Sequence, residues 1–192
     1  TPPAATSNPS QSDTPAQTAT PAPSATPSAT ARPPSPTPRP AMFPTDTVAQ
    51  VALAEQIFQN GRMFWLRYNR QIWVMVASED DPNVGDWYCY YDTFREGEQE
   101  LDPDLIPPQD AGQELYQPRR GFGKLWRNNP QLKNALGWAI TPEFELTSAY
   151  RYIAGGTIDA DGKYIPGPGE HRLTSLYKER ISFYEEDIRG DC

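Results

Sequence analysis

Arg62-Met-Phe-Trp-Leu66 and Gln71-Ile-Trp-Val-Met-Val-Ala77 are two apolar runs, rich in aromatic and β-branched residues, that flank the polar residues 67–70. Two runs of strand length around a short polar turn predict an antiparallel β-hairpin. The most hydrophobic stretch of the chain, residues 72–77, is far shorter than the roughly 20 residues that span a bilayer. The sequence therefore predicts no transmembrane segment.

The residues before this hairpin predict a helix. Asp46 is a suitable N-cap for a helix from about Thr47 to Gln59, and Gly61 is a suitable stop. Apolar side chains recur in it at a helical spacing, at Val48, Val51, Ala54 and Phe58.

Further elements follow the hairpin. An acidic loop over 78–86 precedes a third strand over 87–94, and residues 95–119 form a long irregular segment. A helix over 121–128 is restarted at Asn129-Pro130, where Asn is the cap and Pro the first helical residue, and Gly137 ends it. The remainder predicts short strands at 150–153, 157–159, 163–165, 173–177 and 181–184, with a hairpin turn at Asp161-Gly162. The expected fold class is α+β: one small domain of antiparallel hairpins with short helices, over residues 43–192.

Residues 1–42 form a separate region, an extended stalk rich in Pro, Thr, Ser and Ala. Twelve of the 22 prolines lie within residues 1–40, which lack the apolar bulk for a core. Polyproline II at ~3.1 Å per residue would extend this stalk over on the order of 120 Å. Its composition is typical of O-glycosylated stalks, although a bare linker is the alternative. The glycosylation candidates are Thr14, Thr18, Thr20, Ser24, Thr26, Ser28, Thr30, Ser35 and Thr37.

The formal net charge of −8 is concentrated outside the stalk. Residues 1–40 contain Arg32 and Arg39 against Asp13, so the remainder is more acidic than the whole chain. Such a domain would repel phosphate backbones, which argues against a nucleic-acid partner, and acidity also serves solubility. We therefore expect no nucleic acid among the partners.

The two cysteines, Cys89 and Cys192, predict a disulfide. Cys89 lies in the strand-like run Trp87-Tyr-Cys-Tyr-Tyr91, and Cys192 is the last residue of the sequence. In an oxidising compartment the pair would tie the C-terminal residues to the sheet. Two unrelated thiols, or a bridge between chains, remain alternatives.

The sequence offers no catalytic, cofactor-binding or metal-binding constellation. The single histidine, His171, lies in the Gly/Pro-rich run 167–171 and is expected to be exposed; one His and two distant Cys do not make a zinc site. Asp159-Ala-Asp161-Gly162 is better explained as a hairpin turn than as a calcium loop. Five tryptophans are present, and Trp65, Trp73 and Trp87 are candidates for a sugar-stacking platform, although strand alternation directs many aromatics to the core.

A weak internal repeat relates residues 56–77 to residues 150–165. Phe58-x-x-Gly61 and Tyr152-x-x-Gly155 each precede an apolar hairpin, so the two glycines are expected at matching turns; chance similarity is the alternative. In addition, the run Leu136-Gly-Trp-Ala-Ile-Thr-Pro-Glu143, followed by Tyr152-x-x-Gly-Gly156, resembles the LGFP repeat of bacterial cell-wall-associated proteins. Residues 56–76 and 121–137 are similar to a secreted module of filamentous bacteria that follows a Thr/Pro-rich linker. The resemblance implies a bacterial surface protein.

These observations predict a non-enzymatic extracellular or cell-surface protein, glycosylated on its stalk and structural or filament-forming. Its partners would be other copies of itself or cell-wall polysaccharide. A carbohydrate-binding module is the first alternative, and a hydrolase domain is the second.

Overall fold

The computed structural model describes residues 43–109 and 112–192, in which eight strands form one sheet of order β7-β6-β5-β1-β2-β3-β4-β8. All neighbouring strands are antiparallel except β4 and β8. The elements are β1 Thr47–Phe58, β2 Gly61–Leu66, β3 Gln71–Ala77, β4 Gly85–Tyr91, α1 Arg120–Asn128, α2 Pro130–Leu136, β5 Phe144–Ile158, β6 Tyr164–Thr174, β7 Arg180–Tyr184, a 3₁₀ turn Glu185–Asp187 and β8 Ile188–Gly190.

The predicted hairpin is confirmed as β2 and β3. Phe64 pairs with Trp73 and Trp65 with Ile72, so the two tryptophans lie on opposite faces of the sheet. The two runs therefore occupy the middle of the sheet, and each of its faces receives aromatic side chains from them.

The helix predicted over 47–59 is wrong, because these residues form β1. This strand lies between β2 and β5 and is buried on both faces over much of its second half. A strand with two buried faces loses the alternation of polar and apolar residues, and its apolar positions then imitate a helical spacing. Asp46, predicted as a helix cap, instead accepts a hydrogen bond from Arg151 Nε at 2.8 Å.

The sheet curls until its two ends meet around an aromatic interior. Phe183 of β7 packs against Phe64, Trp73 and Trp87, with ring centroids 5.8, 5.3 and 5.3 Å away respectively. Since β7 stands at the opposite end of the strand order from β3 and β4, these contacts require a rolled sheet. Ring burial and edge-to-face contacts of this kind stabilise the interior.

The convex face is covered by the two helices. Phe122 and Trp126 of α1 and Leu132 and Leu136 of α2 pack on a layer of sheet residues: Ala54, Phe58, Met63, Ile72 and Val74. Both helices lie where they were predicted. The Asn129 side chain accepts from Leu132 N at 3.0 Å, and Gly137 ends α2 with a φ of 72°.

The predicted α+β class is nevertheless wrong. The fold is mostly β, an eight-stranded curled sheet in which only 13% of the described residues are helical. The error came from β1 and from the C-terminal half, where the five short strands predicted are three longer ones and a short β8. Pro166 and Pro168 lie in the first part of β6, which pairs with β5 but has no second partner strand among the described residues. A proline lacks the N–H that a second partner strand would bind, so its absence on this open edge lowers the stability of the sheet little.

The two glycines of the proposed repeat do not occupy matching turns. Gly61 begins β2 just after a hairpin turn, whereas Gly155 lies inside β5, at a shift of register against β6. A Cβ atom on Gly155 would be 1.6 Å from the carbonyl oxygen of Pro168, so the irregular pairing requires glycine there.

The predicted disulfide is confirmed. Cys89 in β4 is bonded to Cys192, with the Cα atoms 5.4 Å apart and a separation of 103 positions in sequence. The bond joins the residues after β8 to the strand with which β8 pairs. The stalk and its nine glycosylation candidates lie outside the described residues.

Candidate functional site

Two adjoining cavities lie over the convex face beside α1. The larger has a volume of about 680 Å³ and the smaller about 360 Å³. Both are lined by Glu100, Arg120, Glu143 and Glu145, so they form one continuous depression, here called the outer groove. Its size suits a small organic ligand rather than an ion.

The floor of the larger cavity is set by strand register. Ala54 in β1 pairs with Trp65 in β2 on one side and with Glu145 in β5 on the other. Directly paired residues project from the same face, so an indole, a methyl group and a carboxylate stand in one row. The small central residue leaves a notch between two large side chains.

Two polar atoms of groove residues are buried without a partner among the described residues. The first is Nε1 of Trp65, which lines the larger cavity, and the second is Oε1 of Gln56, which lines the smaller one. An unsatisfied buried donor or acceptor costs about 1–3 kcal/mol. Such groups are explained when a ligand or water supplies the missing hydrogen bond.

The rim of the groove carries opposed charges in pairs. Arg67 lies 3.3 Å from Glu145, Arg70 lies 3.6 Å from Asp92, and Arg119 and Arg120 lie 3.5 and 3.4 Å from the Glu100 carboxylate. The four arginine side chains are 60–62% exposed, so each pair contributes about 0–1 kcal/mol at most. A ligand can therefore exchange contacts with these side chains at small cost.

One carboxyl of the groove has a perturbed pKa. Burial raises the pKa of Glu143 above its ordinary value; Arg120 opposes this shift, and the charges of Glu145, Glu100 and Asp92 reinforce it. A half-buried carboxyl of this kind in a cavity is a candidate functional group.

The backbone beside the groove is strained at two arginines. Arg70 and Arg120 have φ of 57° and 48°, and only one other described non-glycine residue, Lys178, has a positive φ. Non-glycine residues in this conformation are often found at functional sites. Next to Arg120, Gly121 admits the carboxylate of Asp92, which would lie 2.6 Å from a Cβ atom at that position.

The three tryptophans predicted as a platform do not form one. Trp65 lines the outer groove, whereas Trp73 and Trp87 are 3% and 2% exposed and lie in the interior of the curled sheet. The alternation of side chains along β2 and β3, together with their register, separates them. Gln56 and Glu143 were missed as site residues, because neither is aromatic and the resemblance of the run 136–143 to the LGFP repeat assigns Glu143 no binding role.

His171 was expected to be exposed, and this prediction is wrong. It lies in β6, where the O–H of Tyr150 donates to its Nδ1 at 2.8 Å and its Nε2 donates to Glu185 at 3.1 Å. Burial lowers the pKa of His171 below its usual value, and the hydrogen bond and charge of Glu185 oppose the shift. Burial also raises the pKa of Tyr150 to about 12, so the phenol remains the donor at neutral pH.

Comparison of the chain with protein-family models, with curated proteins and with solved structures gives no match. Within residues 43–109 and 112–192, no group of His, Cys, Asp and Glu could hold a metal ion. Across the same described part, none of the helices has the length and apolar character to cross a membrane.

Proposed function

We propose that this protein is a non-enzymatic, extracellular surface protein whose folded domain binds cell-wall polysaccharide in the outer groove. The observation that carries the proposal is a pair of unsatisfied buried groups, Trp65 Nε1 and Gln56 Oε1, which belong to residues lining the larger and the smaller cavity respectively. One needs an acceptor and the other a donor. A sugar hydroxyl supplies both, and an indole ring is a common partner for the apolar face of a sugar.

The shape of the groove supports an elongated ligand. The two cavities share four charged residues at their junction, so an extended chain would contact Trp65 in one cavity and Gln56 in the other. The weakly coupled ion pairs on the rim can turn toward hydroxyl groups. The many hydroxyl groups of a polysaccharide can satisfy these side chains without breaking the pairs.

The stalk supports display of this domain outside the cell. Its density of Thr, Ser and Pro suits O-glycosylation and an extended backbone, which would hold the binding domain away from its point of attachment. The disulfide between Cys89 and Cys192 is consistent with an oxidising compartment.

The test is binding of the full chain to insoluble cell-wall polysaccharides, followed by titration calorimetry with soluble oligosaccharides of those that bind. Trp65→Phe keeps a ring but removes the N–H, and one lost hydrogen bond should weaken binding about 2–10-fold. Trp65→Ala should weaken binding further.

Trp138→Phe is the matched control, since Trp138 packs with Trp126 and does not line the groove. It should bind like the wild type. Failure to bind any polysaccharide, or equal losses in Trp65→Phe and Trp138→Phe, would refute the proposal.

A hydrolase is the second candidate, favoured by the raised pKa of Glu143 in a cavity that also contains Asp92. Glycosidases use one protonated and one ionised carboxyl at the scissile bond. New reducing ends from a bound oligosaccharide, lost in Glu143→Gln, would establish this activity. If the oligosaccharide remains intact at saturating protein, the hydrolase is excluded and the binding role stands.

A further inference from the structure

The smaller cavity is lined by Gln56, whose side-chain oxygen is a buried acceptor with no donor. Gln56 is 2% exposed, and its Oε1 has no hydrogen-bond partner among the described residues. The orientation of the amide is fixed, because Nε2 donates to the carbonyl oxygen of Thr141 at 3.0 Å and a carbonyl can only accept. The unpartnered atom is therefore the oxygen, and a ligand atom that satisfies it must donate.

Glu143 brings a second acceptor to the same cavity. No other described residue hydrogen-bonds or ion-pairs with its carboxylate. Thr141, two residues before Glu143, holds it near Gln56. The Thr141 carbonyl accepts from Gln56, and Thr141 Oγ1 accepts from Ile57 N at 3.1 Å. These two hydrogen bonds attach the segment before β5 to β1, and Gln56 and Glu143 therefore line the same cavity.

None of the arginines around the groove forms an ion pair with this carboxylate. Arg120, whose charge acts on it, lies 3.4 Å from Glu100, and Arg67 lies 3.3 Å from Glu145. The other charged groups that act on it, those of Glu145, Glu100 and Asp92, are all acidic. The cavity thus combines two acceptors with a carboxylate that has no ion-pair partner.

We infer that the outer groove selects polysaccharide with free primary amines, an amino-sugar polymer whose ammonium group lies between Gln56 Oε1 and the Glu143 carboxylate. This inference rests on the proposed function and adds its ligand class. An ammonium has three donors and a positive charge, so it satisfies both acceptors at once. An N-acetylated sugar has a single amide N–H and no charge, and therefore leaves one acceptor or the charge unmatched.

The acidity of the whole domain favours the same ligand class. The chain has a formal net charge of −8, which attracts a polycation over long distances and at low ionic strength. That attraction is not specific to the groove, so the experiment must separate the two contributions.

The experiment is titration calorimetry of the full chain with a glucosamine hexamer and with an N-acetylglucosamine hexamer, at pH 6 and 150 mM salt. A charge-assisted hydrogen bond predicts that the affinity for the glucosamine hexamer is about tenfold or more higher than that for the N-acetylglucosamine hexamer. Equal affinities, or a preference for the acetylated hexamer, would overturn the inference but leave the proposed function intact. Binding of neither hexamer would overturn the inference, and the proposed function would then be judged on the other polysaccharides.

Glu143→Gln and Glu186→Gln separate local from long-range attraction, because each removes one negative charge and only Glu143 lines the groove. Glu143→Gln should lower affinity for the glucosamine hexamer about tenfold and leave the acetylated hexamer within about twofold. Glu186→Gln should behave as the wild type. If the two variants lose the same affinity for the glucosamine hexamer, or if Glu143→Gln loses no affinity, the assignment of the ammonium site is wrong. Thermal unfolding of both variants establishes that they are folded.

Discussion

Arg62 Nη1 lies 3.1 Å from Glu55 Oε1 inside the sheet, with the two side chains 7% and 0% exposed. Arg62 also contacts Glu179, and the second oxygen of Glu55 accepts from Leu176 N at 2.9 Å. The pair therefore joins β1 and β2 to the turn between β6 and β7, where the curled sheet closes.

Removing one partner of this pair should be costly, because it leaves a buried charge. Arg62→Met is expected to lower the free energy of unfolding by about 3–5 kcal/mol, measured by urea denaturation. The double variant Glu55→Gln/Arg62→Met should recover most of that loss, since it removes the unpaired charge. A double variant as unstable as the single one would contradict this account.

Stability should fall on acidification through His171. Its folded pKa is lowered below the ordinary 6.5, so the unfolded chain binds the proton more readily than the folded one. The free energy of unfolding should decrease as pH falls below about 6.5 and stop decreasing below the folded pKa. His171→Gln should flatten this part of the curve between pH 8 and pH 5, whatever its stability at pH 8. An unchanged slope in the variant would exclude His171 as the cause.

The disulfide should contribute a large share of the stability. Closing a loop of 103 residues predicts a loss of about 4–5 kcal/mol when the bond is removed. Cys192→Ser is the suitable change, because Cys192 is exposed whereas Cys89 is 2% exposed. With reductant, the urea midpoint of the wild-type protein should fall to the midpoint of the variant. The midpoint of the variant should not change with reductant.

Gly155→Ala should destabilise the pairing of β5 with β6. Its Cβ would overlap the carbonyl of Pro168, so a loss of about 2–4 kcal/mol is expected, as for other backbone clashes. Gly97→Ala is the control, because nothing lies within 4 Å of its Cβ and its φ of 91° alone should cost about 1 kcal/mol. Similar losses in both would show that the register shift tolerates a side chain.

The fold was predictable where its signals are local. The β2–β3 hairpin follows from two apolar runs around a polar turn, and the start of α2 follows from Asn129 and Pro130. The strand β1 was not predictable in the same way, because its pattern depends on burial by β5, which pairs with it from about 90 residues further along the chain. Residue propensities and the spacing of apolar residues within β1 contain no information about a partner strand so far along the chain.

The groove was less accessible to sequence reasoning than the fold. Trp65 was identified because tryptophan is a frequent sugar contact, but Trp73 and Trp87 share that property and are buried. Gln56 belongs to the site through its hydrogen bond to Thr141, 85 residues away, and Glu143 through the same segment. His171 was assigned to an exposed loop because its partners, Tyr150 and Glu185, come from other strands and turns.

Ala54 makes the groove adjustable. Its methyl group is all that stands between Trp65 and Glu145 in the row of paired residues across β2, β1 and β5. Substitution by Gly, Ser, Thr or Val at this position gives a graded series of notch widths while the strands on either side keep their partners. If the groove binds a ligand as proposed, this series should change how wide a ligand it accepts, and position 54 is therefore the first position to vary in order to alter its selectivity.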